Sequence, residues 1–140
     1  MLMVIPNEGK KRWLQWAVVT DGDDLHDFTL MLFQNNYQPV DGSTLQDFVE
    51  SSFPGYQRVF IDRVEMSAPA IAGNVAFTER NVAPQFTCTG GQGEDCYGWY
   101  LVDRTDNTLL AAQRFDTKRV MSANTVERID PFKISLKTFA

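Results

Sequence analysis

Residues 86–115, FTCTGGQGEDCYGWYLVDRTDNTLLAAQRF, constrain the fold more than any other stretch, because short apolar or alternating runs are separated there by two polar breaks bearing glycine or asparagine. Such a pattern predicts an antiparallel meander joined by tight turns. Alternation with a period of two places Tyr97, Trp99 and Leu101 on one face and Gly98, Tyr100 and Val102 on the other. Both faces carry apolar groups, so the strand is expected to be covered on both sides. Residues 27–34 repeat the demand, with Phe28, Leu30 and Leu32 opposed to Thr29, Met31 and Phe33. Two doubly covered strands in a chain of 140 residues point to a packed sandwich or barrel.

The rest of the chain is punctuated in keeping with that expectation. Residues 7–19 predict a short amphipathic helix, with Asn7 as N-cap, Glu8 in the first turn, and Trp13, Trp16 and Ala17 on one face. Asn35 to Gly42 reads as a loop, and Ser43 or Thr44 opens one or two helical turns that end before Phe53, Pro54 and Gly55. In residues 56–64, Tyr56, Arg58, Phe60 and Asp62 alternate with Gln57, Val59, Ile61 and Arg63. Residues 67–74 read as a loop or irregular edge, and 75–80 and 85–89 as strands broken at Pro84. A turn at Thr105, Asp106 and Asn107 leads into a strand over 108–115. Residues 117–124 read as a polar connection, and 125–138 as an alternating tail interrupted at Pro131. The expected fold is all-β: a single-domain antiparallel β-sandwich of jelly-roll type with a short N-terminal helix and one short inserted helix. Residues 1–20 would form an N-terminal helical arm and 21–140 the sandwich domain.

Hydrophobic residues make up 44% of the chain and Phe alone accounts for 10 positions, which is enough for an aromatic core without disulfides or metals. The net charge of -5 opposes sequence-independent attraction to phosphate backbones and anionic lipid heads, so neither nucleic acid nor a membrane is expected as a partner. No apolar run approaches the roughly 20 residues needed to span a bilayer, and the N-terminal segment lacks the order of a signal peptide. Synthesis and folding in the cytosol are expected.

Chemistry is hard to find in the residue pattern. His26 is the sole histidine and sits beside Asp24 and Asp27, where a solvent-facing side chain is the simpler account. The acidic group Asp21, Asp23, Asp24 and Asp27 fails as a calcium loop, since Leu25, His26 and Leu32 occupy positions that need oxygen ligands, glycine and glutamate. Gly90, Gly91 and Gly93 precede no helix and read as turn glycines, not a phosphate cradle. No catalytic, cofactor-binding or metal residue is assigned, and a non-enzymatic protein is expected. Cys88 and Cys96 flank the glycine loop, where a hairpin could set them at bonding distance; two reduced, partly buried thiols are the other reading. Trp13 and Trp16 either pack on the core or, with Arg12, contact a partner. The seven arginines of residues 58–128 are scattered, and sequence leaves pairing within the chain and pairing with a neighbour both open.

Two segments resemble a family of small virion structural proteins of tailed bacteriophages. Residues 28–59 carry Leu30, Leu32, Phe33, Asn35, Asn36, Tyr37 and Pro39, then Phe53, Gly55, Tyr56 and Arg58, similar to that family's L-x-L-F-x-N-N-Y-x-P and F-x-G-Y-x-R. Residues 86–115 are similar to its T-F-T, Y-G-Y-F-V-x-D and L-L-x-x-x-R-F succession, while the tail RIDPFKISLKTF departs from a more threonine-rich end. The resemblance implies a capsid cement or decoration protein, located in the virion, that binds the major capsid protein and assembles as a homo-oligomer, a trimer at local threefold positions. A tail, adaptor or other minor virion component is the alternative. A carbohydrate- or host-surface-binding module, stacking sugars on Trp99, Tyr97 or Tyr37, is a third expectation.

Overall fold

The strand β1 (Phe28–Phe33) lies antiparallel to β6 (Glu94–Asp103) in continuous register from Phe28↔Asp103 to Phe33↔Gly98. All six residues of β1 are buried, as are Trp99, Tyr100, Leu101 and Val102 of β6, so both faces of this pair are covered. The structure, a computed structural model, describes residues 3–18, 27–62, 65–66, 70–72, 75–80, 82–91, 93–130 and 132–137; the side chains of residues 14–18, 72, 75, 77, 136 and 137 lie outside that description. His26, the acidic residues 21–24 and the side chain of Trp16 therefore fall outside the described residues.

Around the central pair the chain is mostly β, with one α-helix among the described residues, α1 (Asn7–Val18). β2 (Val59–Ile61) flanks β1 and β7 (Leu109–Met121) flanks β6, giving a four-stranded antiparallel sheet of order β2-β1-β6-β7. A second sheet joins β3 (Ala70–Ala72), β4 (Val75–Glu79) and β9 (Lys133–Lys137), and a third pairs β5 (Gln85–Thr87) with β8 (Val126–Arg128).

One face of the large sheet, with Phe28, Leu30, Leu32, Trp99 and Leu101, shares a buried cluster with Phe86, Cys88, Ile129, Phe132 and Ile134 from the smaller sheets and their connections. Trp99 meets Phe132 edge-on at 5.4 Å. The other face, with Met31, Phe33, Tyr100, Val102, Leu109 and Ala112, is covered by Phe48, Tyr37 and Leu45 from the connection 34–58. Phe48 stacks on Tyr100 at 4.7 Å and meets Phe33 edge-on at 5.1 Å. A segment of this length holds its shape through local bonds. The Asn35 side chain donates to Asp47 O and accepts from Val49 N, both at 2.9 Å, and Ser43 Oγ accepts from Val40 N at 2.8 Å.

Several sequence expectations are corrected by this arrangement. β5 does not pair with β6: it pairs with β8, and Cys88 N and O continue that pairing to Thr125 and Asn124, so the meander reduces to β6 and β7. Gly91 and Gly93, at φ 96° and 97°, turn the chain from one sheet to another and close no hairpin. The polar connection expected over 117–124 is mostly strand, because residues 116–120 are exposed yet Arg119–Met121 pair with Glu94–Cys96; a strand without a buried face leaves no alternation to read. The register breaks between Cys96 and Gly98, and this irregularity sends Tyr97 to the Tyr100 face instead of the Trp99 face. β3 occupies part of the expected loop 67–74, the described residues of the expected strand 56–64 are strand only at β2, with 63–64 outside the description, and the inserted helix is a single 3-10 turn, Leu45–Asp47, with Thr44 N donating to Asp47 Oδ2 at 2.8 Å.

Gly98 is required by the central pairing. A Cβ there would lie 2.6 Å from the Phe33 ring and overlap the Gln113 carbonyl oxygen, so the ring occupies the space that any other residue would fill. Gly98→Ala is expected to destabilise the fold by about 2–3 kcal/mol. Gly42→Ala, at a position with nothing within 4 Å, should stay within about 0.5 kcal/mol of the parent in the same urea titration. Equal midpoints for the two variants would refute the packing constraint.

Candidate interaction surface

A sheet buried on both faces meets its surroundings through its edges, and the two edges of the four-stranded sheet are treated differently. The first part of the β7 edge, Leu109 to Ala112, is closed by the N-terminal segment. Val4 and Ala112 exchange backbone hydrogen bonds of 2.7 and 2.8 Å, Glu8 Oε1 accepts from Leu109 N at 2.8 Å, and Trp13 Nε1 donates to Leu110 O at 3.4 Å. Gly9 lets α1 approach this closely, since a Cβ there would be 2.5 Å from Leu110 O. Backbone groups that would otherwise template another strand are thereby satisfied.

The opposite edge is assembled in two pieces. Residues 49–51 pair with the end of β1 through Phe33↔Glu50, Gln34 N to Val49 O and Ser51 N to Leu32 O, and β2 pairs with its start from Leu30↔Val59 to Phe28↔Ile61. Between them residues 52–58 leave the sheet. Phe53 is buried, Gly55 turns at φ 85° against Thr89, and Tyr56 stacks on Phe86 at 5.9 Å. Glu50 clasps the base of this excursion. Its carboxylate accepts two 2.8 Å hydrogen bonds from Arg58, through Nε and a terminal nitrogen, and a third of 2.8 Å from Tyr56 OH. Burial alone would raise the Glu50 carboxyl, but the hydrogen bonds from Arg58 and Tyr56 outweigh it and hold the pKa below the ordinary 4.5. Burial pushes the Tyr56 phenol upward and the Glu50 charge adds to that, so Tyr56 is a neutral donor.

Beside the clasp stands Phe60, 60% exposed although it sits in a strand. The Arg104 guanidinium lies over its ring at 4.9 Å. Arg104 is itself fixed: it donates to Phe28 O at 3.2 Å and pairs with Asp27 Oδ2 at 3.7 Å and Asp62 Oδ1 at 3.6 Å. Arginine and aromatic side chains held in place on an exposed edge are the composition from which binding hot spots are built. Among the described residues, no backbone hydrogen bond is made on the outer side of β2. Alternation puts Arg58, Phe60 and Asp62 on one face, and the sequence signal for this edge is an aromatic on the polar side of an alternating strand.

The residues singled out from sequence lie elsewhere. Arg12 is engaged within the chain, ion-paired with Asp106, 3.7 Å from the buried Asp103, and donating to Thr108 Oγ1 at 3.2 Å. Trp13 packs on the core, 6.1 Å from Phe28. Cys88 and Cys96 are both buried and both free thiols, with Cys88 Sγ donating to Gly90 O at 3.0 Å. Burial pushes the Cys96 thiol up to about 12. Trp99, expected among exposed sugar-stacking aromatics, is corrected to a core residue, 2% exposed; Arg114 lies over the Tyr97 ring at 5.2 Å, and Tyr37 packs edge-on against Phe48 at 5.2 Å, both rings half-buried. Among the described residues no group of three or more His, Cys, Asp or Glu is arranged to hold a metal ion, and no helix is long and apolar enough to cross a membrane.

The fold thus defines a mostly β protein whose large sheet has the start of its β7 edge covered and, among the described residues, no strand added outside β2. Compared with protein-family models, with curated proteins and with solved structures, the chain finds no match.

Two outcomes follow from the site chemistry. A glutamate whose folded pKa is depressed stabilises the fold fully above the unfolded value of 4.5, and that contribution is lost as pH falls through the lower folded value. Glu50→Gln should cost about 1–2 kcal/mol in urea denaturation at about pH 7, with the gap to the parent narrowing by about pH 3. A gap independent of pH would show that the charge on Glu50 contributes nothing. Both thiols should resist a maleimide in the native protein and react together on unfolding; labelling of either in the folded chain contradicts their burial.

Proposed function

We propose that the protein is a structural component of a tailed-phage virion, a capsid cement or decoration protein that binds the major capsid protein shell. The observation that carries this reading is the resemblance over residues 28–59 and 86–115 to small virion proteins. The placement of those segments supports it. Far apart in sequence, they supply β1, the first residue of β2, β6 and the first half of β7, which are neighbours in one sheet, while 34–58 covers one face of that sheet. Most of the resemblance thus falls on one sheet and its cover, while Phe86 and Thr87 belong to β5 in another sheet.

In this reading the large sheet and the two smaller ones stack as a jelly-roll-like β-sandwich, with Phe86, Phe132 and Ile134 facing Leu30 and Trp99 across the shared core. Docking repeated over a closed protein lattice asks for rigid edges more than for a cleft, because many weak contacts add by avidity. Quantitative mass spectrometry of purified particles should find the protein in about hundreds of copies, as closed-shell symmetry requires. A handful of copies per particle would overturn the cement assignment and point to the tail or an adaptor, and absence from particles would overturn the virion reading altogether.

A further inference from the structure

We propose that β2 is the contact edge of a two-fold homodimer, in which β2 of one copy pairs antiparallel with β2 of a second, centred on Phe60. This inference goes beyond the virion reading and does not rest on it. Its basis is the self-complementarity of residues 58–62, Arg-Val-Phe-Ile-Asp, on the open edge. With the two-fold axis at Phe60, Phe60 faces its own copy, Val59 faces Ile61, and Arg58 faces Asp62 in both directions. Opposed residues of an antiparallel pair share a face, so a stripe of Arg58, Phe60 and Asp62 meets the same stripe reversed.

The register is specific. Centring the pair on Arg58 or on Asp62 instead would set like charges directly opposite, which is unfavourable, and a one-residue slip would turn Phe60 away from its copy. The charged side chains are available, with 53% of Arg58 and 57% of Asp62 exposed. Each is also pre-positioned from within its own chain, Arg58 by the bidentate bond to Glu50 and Asp62 by Arg104, which lowers the ordering cost of association. Arg104, lying over the Phe60 ring, adds rigidity to the aromatic at the centre. The contact is isologous and closes on itself, so it yields a pair and no filament. On the β7 edge, the other end of this sheet, the stretch from Leu109 to Ala112 is already occupied by Val4, Glu8 and Trp13.

Sedimentation equilibrium of the full chain from about 10 µM to about 1 mM should show mass rising toward two chains, in the range expected of a short edge contact. Asp62→Arg sets two like-charge oppositions into the dimer and should raise its Kd about tenfold, and Phe60→Thr should weaken it by a similar factor. A mixture of Arg58→Asp and Asp62→Arg chains restores both opposite-charge pairs and should form the mixed dimer in native mass spectrometry, although each variant alone stays monomeric. Far-UV circular dichroism monitors the fold, because Arg58→Asp also removes the Glu50 clasp; should that variant unfold, Asp62→Arg alone decides the question. A single-chain mass throughout, a three-chain mass, or a dimer indifferent to Asp62→Arg overturns the proposal.

Discussion

β1 and β6 are hydrogen-bonded over six residues and buried on both faces, and that combination dictates where the other apolar groups must go. A strand pair whose two sides both carry Leu, Phe, Trp or Tyr requires two covers. The chain supplies them from different places: the small sheets on the Trp99 side, and the connection 34–58 on the Tyr100 side. Close approach at the centre then fixes Gly98, because Phe33 lies where a side chain would be. The helix is drawn in for a related reason. With β6 enclosed, β7 becomes an edge, and α1 with the preceding Val4 satisfies backbone groups of its first residues, Leu109 to Ala112.

At the β2 edge polar groups act beside the buried Ile61 and Phe53. The excursion 52–58 inserts Phe53 and Tyr56 into the core, but its ends are brought together by Glu50, which receives three short hydrogen bonds, two of them from a guanidinium. Ser52 adds to this, its N and Oγ bonding Glu94 of β6 at 3.1 and 3.0 Å. Charge-assisted bonds of this kind are directional, so they define the position of the segment leading into β2 more sharply than burial would. Their cost is the partial desolvation of Glu50, which the three donors offset.

What was legible in the sequence is what side-chain periodicity encodes. The doubly apolar runs around Leu30 and Leu101, the N-terminal helix at Asn7 and the turn at Asn107, which takes φ 60°, are local properties and are present in the structure. Strand partners were not legible. Nothing in residues 85–87 states that β8 rather than β6 lies beside them, because that choice is made by Phe86 reaching the shared core and by Cys88 bonding Thr125. The exposed half of β7 was hidden because residues 116–120 have no buried face to impose a period. Arg12 illustrates the same limit for the candidate site: its charge suggested an outward contact, whereas Asp103 and Asp106, about ninety residues further along the chain, hold it within the fold.

The treatment of the two edges bears on how such a chain can bind anything. Faces that are filled offer no docking surface, and the first part of the β7 edge, Leu109 to Ala112, has donors and acceptors engaged by the N-terminal segment. Recognition by the large sheet is left to its edges, and at β2 a fixed guanidinium lies over an aromatic that strand geometry would ordinarily see covered. Keeping that edge to three residues between Arg58 and Asp62 limits indiscriminate strand addition, since a short edge with charged ends pairs well only with a partner that opposes each charge. The same five residues that leave the edge open thus restrict what can close it.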